Sequence, residues 1–247
     1  MKKNQPYDKL SLIYDKLMSH VNYKNWADYI VKLFQYSDIK INSIIDISCG
    51  TGSLLTNFIN RKYFFCGSDI SLPMICRAGP KFDKNVFMVS DVKRMSVKSN
   101  RFDAVIFLYD SLNYMQNENQ INSLFKEVNR ILVKGGIFIF DIITDLLCKT
   151  HYQNFEEQEN WNDSGYLRHS FYNNTSQIQH NDFRINIGNN IYFESHMQRV
   201  FPESKIDEYL NYNNFDLAAR LDDFTFSASN EDSERIHYVC IKKLNAL

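Results

Sequence analysis

The 247-residue sequence has no run approaching the ~20 apolar residues needed to cross a bilayer, and it opens on the polar stretch Met1-Lys2-Lys3-Asn4-Gln5-Pro6. Export through an apolar leader and insertion into a membrane are therefore not expected, and the chain reads as cytoplasmic. Neither charge is in excess. Its 28 basic and 29 acidic residues leave a net charge of -1, so no overall field draws the protein to nucleic acid or to an anionic membrane. The five cysteines, at 49, 66, 76, 148 and 240, are odd in number and scattered, several inside apolar runs, which reads as reduced thiols used as small hydrophobes. No two of the six histidines stand four apart and none neighbours a cysteine pair, so no metal site is expected. There is no internal repeat and no linker rich in Pro, Gly or Ser. What remains, 44% hydrophobic and 23% charged residues, is the composition of a globular chain long enough for one main domain with a modest appendage.

The apolar pattern changes period along the chain. Trp26, Tyr29, Ile30, Leu33 and Phe34 follow the spacing of one helical face. Tyr7 and Tyr14 stand seven apart and would share a face if that segment were one helix. Short apolar runs follow at Ser43–Ile47, Tyr63–Gly67, Asn85–Val89, Asp103–Leu108 and Gly136–Phe140, as expected of strands buried on both faces. Between the last two lies a helical pattern, Ile121, Leu124, Phe125, Val128, Ile131 and Leu132, ended by Lys134-Gly135-Gly136. Strand and helix alternate, which predicts a doubly wound, mostly parallel sheet with ligands at the carboxyl ends of its strands. Beyond residue 147 the period becomes two, in Tyr166–Tyr172 and Asn190–Val200, and predicts a small antiparallel insert with one wet face. A helix at Glu203–Tyr212 and strands at Phe215–Leu221 and Arg235–Lys242 would then complete seven strands. The expected divisions are residues 1–147, 148–202 and 203–247.

The chemistry concentrates after the first strand. Asp46-Ile-Ser-Cys-Gly-Thr-Gly52 places two glycines one residue apart before Ser53-Leu-Leu-Thr-Asn-Phe58, which reads as a helix start. Such glycines let backbone turn sharply and approach a nucleotide-like ligand. The second strand ends at Asp69, 19 residues beyond Gly50, the spacing at which a carboxylate reaches ribose hydroxyls. The same acid could instead serve only to cap the following helix. A dinucleotide fingerprint calls for a small residue three places after Gly52, where this chain has Leu55. Asp46, charged and just ahead of the loop, suits an ammonium or sulfonium better than a pyrophosphate.

Here the sequence resembles a known family. Asp46–Gly52 looks like motif I of the class I S-adenosylmethionine-dependent methyltransferases, and Tyr7-Asp8 with Tyr14-Asp15 looks like the tyrosine segment of their small-molecule branch, which includes the amino-sugar N-methyltransferases. Supporting stretches are Asp69-Ile-Ser-x-x-Met74, Ser90-Asp91-Val92, Leu108-Tyr-Asp-Ser-Leu-Asn113 and Lys134-Gly-Gly136. The resemblance implies a Rossmann-like methyltransferase fold and S-adenosyl-L-methionine as cofactor. It further implies that Ser48, Cys49, Gly50 and Gly52 form the loop at the methionine part, with Asp46 near its ammonium. Asp69 would take the ribose hydroxyls beside Ile70, Met74 would pack on the adenine, Asp91 and Val92 would meet its edge, and Leu108 and Tyr14 would complete the pocket. Ser48 departs from the family, which usually has Ala or Gly there.

Methyl transfer from a sulfonium needs collinear positioning and exclusion of water, with a general base where the acceptor carries a proton. Tyr14, Asp110, Tyr114 and His196 are the candidates, although a lone histidine such as His196 is more often a surface residue. The Asn/Asp-Pro-Pro-Tyr signature of base or glutamine N-methylation is replaced by Leu108-Tyr109-Asp110-Ser111, and no Pro-Cys nucleophile occurs. A small polar metabolite accepting methyl on N or O is thus expected, in a monomer or homodimer. A nicotinamide-dependent oxidoreductase and a cofactor-binding protein without catalysis are the competing readings. The segment Met1–Val21 is expected to order over bound cofactor.

Overall fold

The protein is described by a computed structural model covering residues 5–82 and 86–244. Seven strands form the main sheet: β1 (Ser43–Asp46), β2 (Phe64–Asp69), β3 (Phe87–Val89), β4 (Phe102–Phe107), β5 (Leu132–Ile143), β10 (Phe215–Asp222) and β11 (Arg235–Lys242). Their order is β10-β11-β5-β4-β1-β2-β3, all parallel except β11, which pairs antiparallel with both β5 and β10. A second sheet, β6 (Phe155–Asn160), β7 (Ser164–Asn173), β8 (Ile178–Ile187) and β9 (Asn190–Arg199), is an antiparallel meander inserted after β5. The helices are α1 (Tyr14–Leu17), α2 (Tyr23–Leu33), α3 (Leu72–Ala78), α4 (Glu118–Ile131), α5 (Asp145–His151) and α6 (Glu203–Tyr212). Among the described residues no helix is long and apolar enough to cross a membrane.

Alternation along the central strands explains the double winding. In β4, Val105 and Phe107 pack with Leu124, Phe125 and Val128 of α4, whereas Ala104 and Ile106 pack on the other face with Ile30 and Leu33 of α2. Both faces must be covered because neighbours of opposite orientation are all apolar. Four helices begin where a side-chain oxygen accepts an otherwise orphaned amide: Asn22 before α2, Ser71 before α3, Asn117 before α4 and Thr144 before α5. α3 also carries proline in its first turn, where the missing N–H costs nothing.

Three expectations need correction. The segment after the glycine loop forms only a 3₁₀ turn, Leu55–Phe58; the Thr56 hydroxyl donates to the Ser53 carbonyl at 2.7 Å and the Asn57 amide at 3.3 Å, side chains competing for the carbonyl a helix would use. The N-terminal segment is not one helix, since Tyr7 adopts φ 64° and a 3₁₀ turn at Leu10–Leu12 precedes α1. The Tyr7 and Tyr14 rings nevertheless meet edge to face, 5.9 Å between centroids. In β9 the wet face is inverted: Glu194, His196 and Gln198 are buried, while Ile191, Phe193 and Met197 face solvent. The third strand occupies Phe87–Val89, and Asn85 of the run expected there lies outside the described residues. All five cysteines are free, and four are buried.

Phe125 tests where the core carries most of its weight. It is fully buried with ring centroids 6.0, 5.6 and 6.5 Å from those of Phe138, Phe140 and Phe215. Phe125→Ala is expected to lower the free energy of unfolding by about 3–5 kcal/mol, measured by urea denaturation, with both sheets melting in one transition.

Candidate active site

The loop after β1 is shaped by two glycines with different jobs. At Gly52, with φ 76°, an added Cβ would stand 3.2 Å from Ala78 and from the Phe82 and Phe87 rings, so this glycine lets the loop press onto α3 and β3. At Gly50, with φ 52°, a Cβ would find only the Tyr14 ring at 3.9 Å; here the backbone opens toward a cleft. The Gly50 amide donates to Asp69 Oδ2 at 2.9 Å and the Ser71 amide to Oδ1 at 2.8 Å. One carboxylate at the end of β2 thus fastens the glycine loop to the start of α3. Burial pushes the pKa of Asp69 up against these donors. Asp46, almost wholly buried, is pushed up to about 7 by burial, with the nearby Asp69 adding to it and the Ser48 amide, 3.0 Å from Oδ1, opposing.

The cleft lies over the carboxyl ends of β1, β2 and β4 and encloses about 590 Å³. Of the sequence-predicted residues, Tyr14, Ser48, Gly50, Asp69, Ile70, Met74, Asp91, Val92, Leu108 and Tyr114 line it. Asp91 stands on the far side, its Oδ1 accepting the Lys93 amide at 2.9 Å. Asp46, Cys49, Gly52, Asp110 and His196 are not in the lining. Cys49 turns its thiol into the core, and its amide donates to the Ser68 carbonyl at 2.9 Å.

Asp110 is a structural anion and not a free base. Tyr109 and Asp110 are consecutive left-handed residues at φ 62° and 50°, held there because the Asp110 amide donates to Asp141 Oδ2 at 2.9 Å. Arg235 donates to Asp110 Oδ1 at 2.8 Å and to Asp141, and the Gln198 amide donates to Asp110 Oδ2. Burial raises the pKa of Asp110 and Arg235 opposes it; Arg235 and the Gln198 side chain hold one oxygen each, and the carboxylate lies outside the cleft lining.

His196 is buried, contrary to a surface position. Its Nδ1 is 2.9 Å from Tyr114 Oη, its Nε2 is 3.3 Å from Glu194 Oε2, and Tyr114 Oη is 2.7 Å from Tyr7 Oη. Glu194, Gln198, Arg235 and Asp141 were not singled out from sequence. The signal that could have found two of them is the regular placing of polar residues at 194, 196 and 198 on one face of β9, opposite Ile191, Phe193 and Met197.

The N-terminal segment packs across this cleft. Leu10, Ile13 and Met18 are buried, the first two against Tyr166, Phe183 and Ile185 of the second sheet. Asp15 accepts from Thr51 at 2.5 Å and pairs with Lys81 at 2.7 Å, tying α1 to the glycine loop. Residues 1–4 of the segment expected to order over cofactor lie outside the described residues.

Residues 44–136 match the family described as a methyltransferase domain. The chain is 28% identical to the putative methyltransferase YqeM of Bacillus subtilis, over 94% of this chain and 95% of that protein. A tRNA (carboxymethyluridine(34)-5-O)-methyltransferase of Schizosaccharomyces pombe is 31% identical over 52% of this chain and 54% of its own length. Among solved structures, an S-adenosylmethionine-dependent methyltransferase from Clostridium acetobutylicum superposes with TM-score 0.83 at 24% identity, covering 96% of this chain and 99% of that one. A sugar N-methyltransferase from a Streptoalloteichus species gives TM-score 0.75 at 16% identity, covering 93% and 92%. Residues 44–136 are thus similar to a methyltransferase domain, and the chain as a whole shares the fold of these solved structures.

The buried Asp46 makes stability pH-dependent. Its folded pKa of about 7 lies above the ordinary 3.8, so the folded state holds this proton more tightly than the unfolded chain. Stability from this group is full below about pH 4 and lost as pH rises through 7. Asp46→Asn, which stays neutral, should gain on the wild type in unfolding free energy between pH 5 and pH 8, measured by urea denaturation at both. A constant difference across that range would show that burial does not hold the proton.

Proposed function

We propose that this protein is an enzyme that transfers the methyl group of S-adenosylmethionine to a nitrogen or oxygen of a small polar molecule. The observation that carries this reading is Asp69: a carboxylate at the end of β2, lining the cleft, bonded to the amide of the glycine that opens the first loop. The cofactor is S-adenosylmethionine, and it supplies a methyl group already activated on a sulfonium. The donor set suits it. Asp69 has lone pairs left for two ribose hydroxyls, and Asp46 offers a desolvated carboxylate whose raised proton affinity falls once a cation stands near. Leu55, fully buried in the core, fills the place where a dinucleotide's pyrophosphate requires close approach, which disfavours the nicotinamide reading.

In this reading Gly50, with Ser48, forms the wall at the methionine part, and Cys49 and Gly52 shape that loop through backbone and packing. Met74 and Ile70 flank the adenine, Asp91 and Val92 meet its edge, and Leu108 closes the floor. Tyr14 covers the reacting end and excludes water. Tyr114, facing the cleft with His196 behind it, takes the acceptor's proton, a contribution of ~10²–10⁴-fold. Asp110 is left out of the chemistry because Arg235 and Gln198 occupy it. The near-zero net charge and the enclosed cleft support a small acceptor over a polyanion.

The test is transfer of labelled methyl to a panel of amino sugars, amines, phenols and carboxylic acids, with unmodified tRNA as a separate arm. Label in the small-molecule fraction is the expected result. Label in tRNA alone, or tight binding of NAD with none of S-adenosylmethionine, would overturn the reading. In the same system Asp69→Ala should weaken S-adenosylmethionine binding by about 30- to 150-fold in calorimetry, as loss of two charge-assisted hydrogen bonds partly replaced by water implies. A variant with unchanged affinity and only a lower melting temperature would mean that Asp69 does no more than hold the loop and α3.

A further inference from the structure

Glu194 is the most buried carboxylate of the second sheet, and its two oxygens serve two separate parts of the molecule. Oε1 accepts the amides of Lys9 and Leu10, the latter at 3.0 Å, and Oε2 accepts the amide of Tyr7 at 2.9 Å. The same Oε2 lies 3.3 Å from His196 Nε2. Three backbone N–H groups are donors without alternative, so the carboxylate acts toward all its neighbours as an acceptor. Nε2 of His196 must therefore carry a hydrogen to face it. In the neutral ring Nδ1 then has the lone pair, and the Tyr114 hydroxyl, 2.9 Å away, donates to it. Tyr114 Oη in turn accepts from Tyr7 Oη and keeps a lone pair toward the cleft that it lines.

The ring cannot easily escape this arrangement. Tyr7 stands edge-on to it at 4.7 Å and Phe183 at 5.2 Å, both measured between centroids. Tyr7 is thus held twice, through its amide by Glu194 and through its hydroxyl by Tyr114.

We propose that Glu194 is a positioning residue that sets His196 in the tautomer able to take a proton from Tyr114 and, with the same carboxylate, gathers residues 7–10 over the cleft, so that proton acceptor and cover assemble as one unit. This rests on the methyltransferase reading for its chemistry. An acceptor X–H gives its proton to Tyr114 Oη as Tyr114 passes its own to His196 Nδ1. The heteroatom keeps the electron pair for its bond to the methyl carbon, sulfur keeps the pair of the broken C–S bond, and the positive charge moves from sulfonium to imidazolium beside Glu194. Burial pushes the Tyr114 phenol well above its usual range, so it serves by passing a proton on rather than by starting as phenolate.

The experiment compares the full-length wild type with Glu194→Gln. A glutamine amide presents both an acceptor and a donor. Keeping its oxygen on the Lys9 and Leu10 amides puts its NH₂ in the place of Oε2, against the Tyr7 amide and His196, which must then accept at Nε2 and protonate Nδ1. Nitrogen-15 shifts of the His196 ring should show protonated Nε2 in the wild type and protonated Nδ1 in the variant, a change that a merely structural role would not produce. Exchange of the Tyr7, Lys9 and Leu10 amides should quicken roughly 10- to 100-fold, the loss of hydrogen bonds to a charged group. Calorimetry with S-adenosylhomocysteine separates the two levels. A wild type that does not bind it sinks the cofactor reading, whatever the tautomer. A wild type that binds it but carries Nδ1–H, or a variant with unchanged tautomer and unchanged amide exchange, overturns the role of Glu194. The wild-type spectrum alone is decisive should the variant fail to fold.

Discussion

The side of the cleft opposite the glycine loop depends on a single buried cation. Arg235 enters from β11, donates to Asp110 at the end of β4 and to Asp141 in β5, and lays its guanidinium over the Tyr109 ring at 5.5 Å. Through Asp110 the network continues to Gln198 and then Asn181, so the second sheet is joined to the first by hydrogen bonds as well as by apolar contact. Removing the arginine would leave two carboxylates buried without compensation, which is far more costly than the pair is stabilising. The planar fork matters too, since a lysine could not reach both carboxylates with fixed geometry. The left-handed turn at Tyr109 and Asp110 exists because of this clamp. That turn places Tyr109 in the cleft wall and starts the chain toward Tyr114.

The parts of the candidate site most legible in sequence are those whose signal is local. Asp46–Gly52 and Asp69 lie at strand ends whose apolar runs announce the strands, and their relation is fixed by parallel pairing of β1 with β2, Asp46 beside Gly67. β9 shows the limit. Alternation says that its two faces differ but not which one is inside, and the usual assignment fails because the inward positions meet partners no local pattern contains: Tyr114, Asp110 and the amides of residues 7–10. The ion pair of Asp110 was illegible for the same reason, its partner Arg235 standing 125 positions away. The 3₁₀ turn after Gly52 has a different origin, since threonine and asparagine side chains outcompete weak helical propensity in a short segment.

Charge is distributed across the cleft in two unlike ways. On the cofactor side Asp46 and Asp69 are desolvated carboxyl groups that accept from backbone amides and pair with no cation among the described residues, so their field is available to a positive ligand. On the other side Asp110 and Asp141 are matched by Arg235, and Glu194 is saturated with donors. A positive ligand is therefore drawn to the first side, while the second offers neutral oxygens and an imidazole. In the proposed reaction this separation would keep the sulfonium and the released proton from competing for the same carboxylate.

The place of Arg235 in the chain orders the events of synthesis. β1, β2 and the glycine loop, which carry Asp46, Gly50 and Asp69, leave the ribosome early, whereas β11 follows the whole second sheet and must slide between β5 and β10 as an antiparallel strand. Until it does, Asp110 and Asp141 remain hydrated and the turn they share is free to relax. Closure of the main sheet and closure of this turn therefore come together, at the end of synthesis. A chain stopped short of residue 235 would lack both the strand that joins β10 to β5 and the cation that Asp110 and Asp141 share.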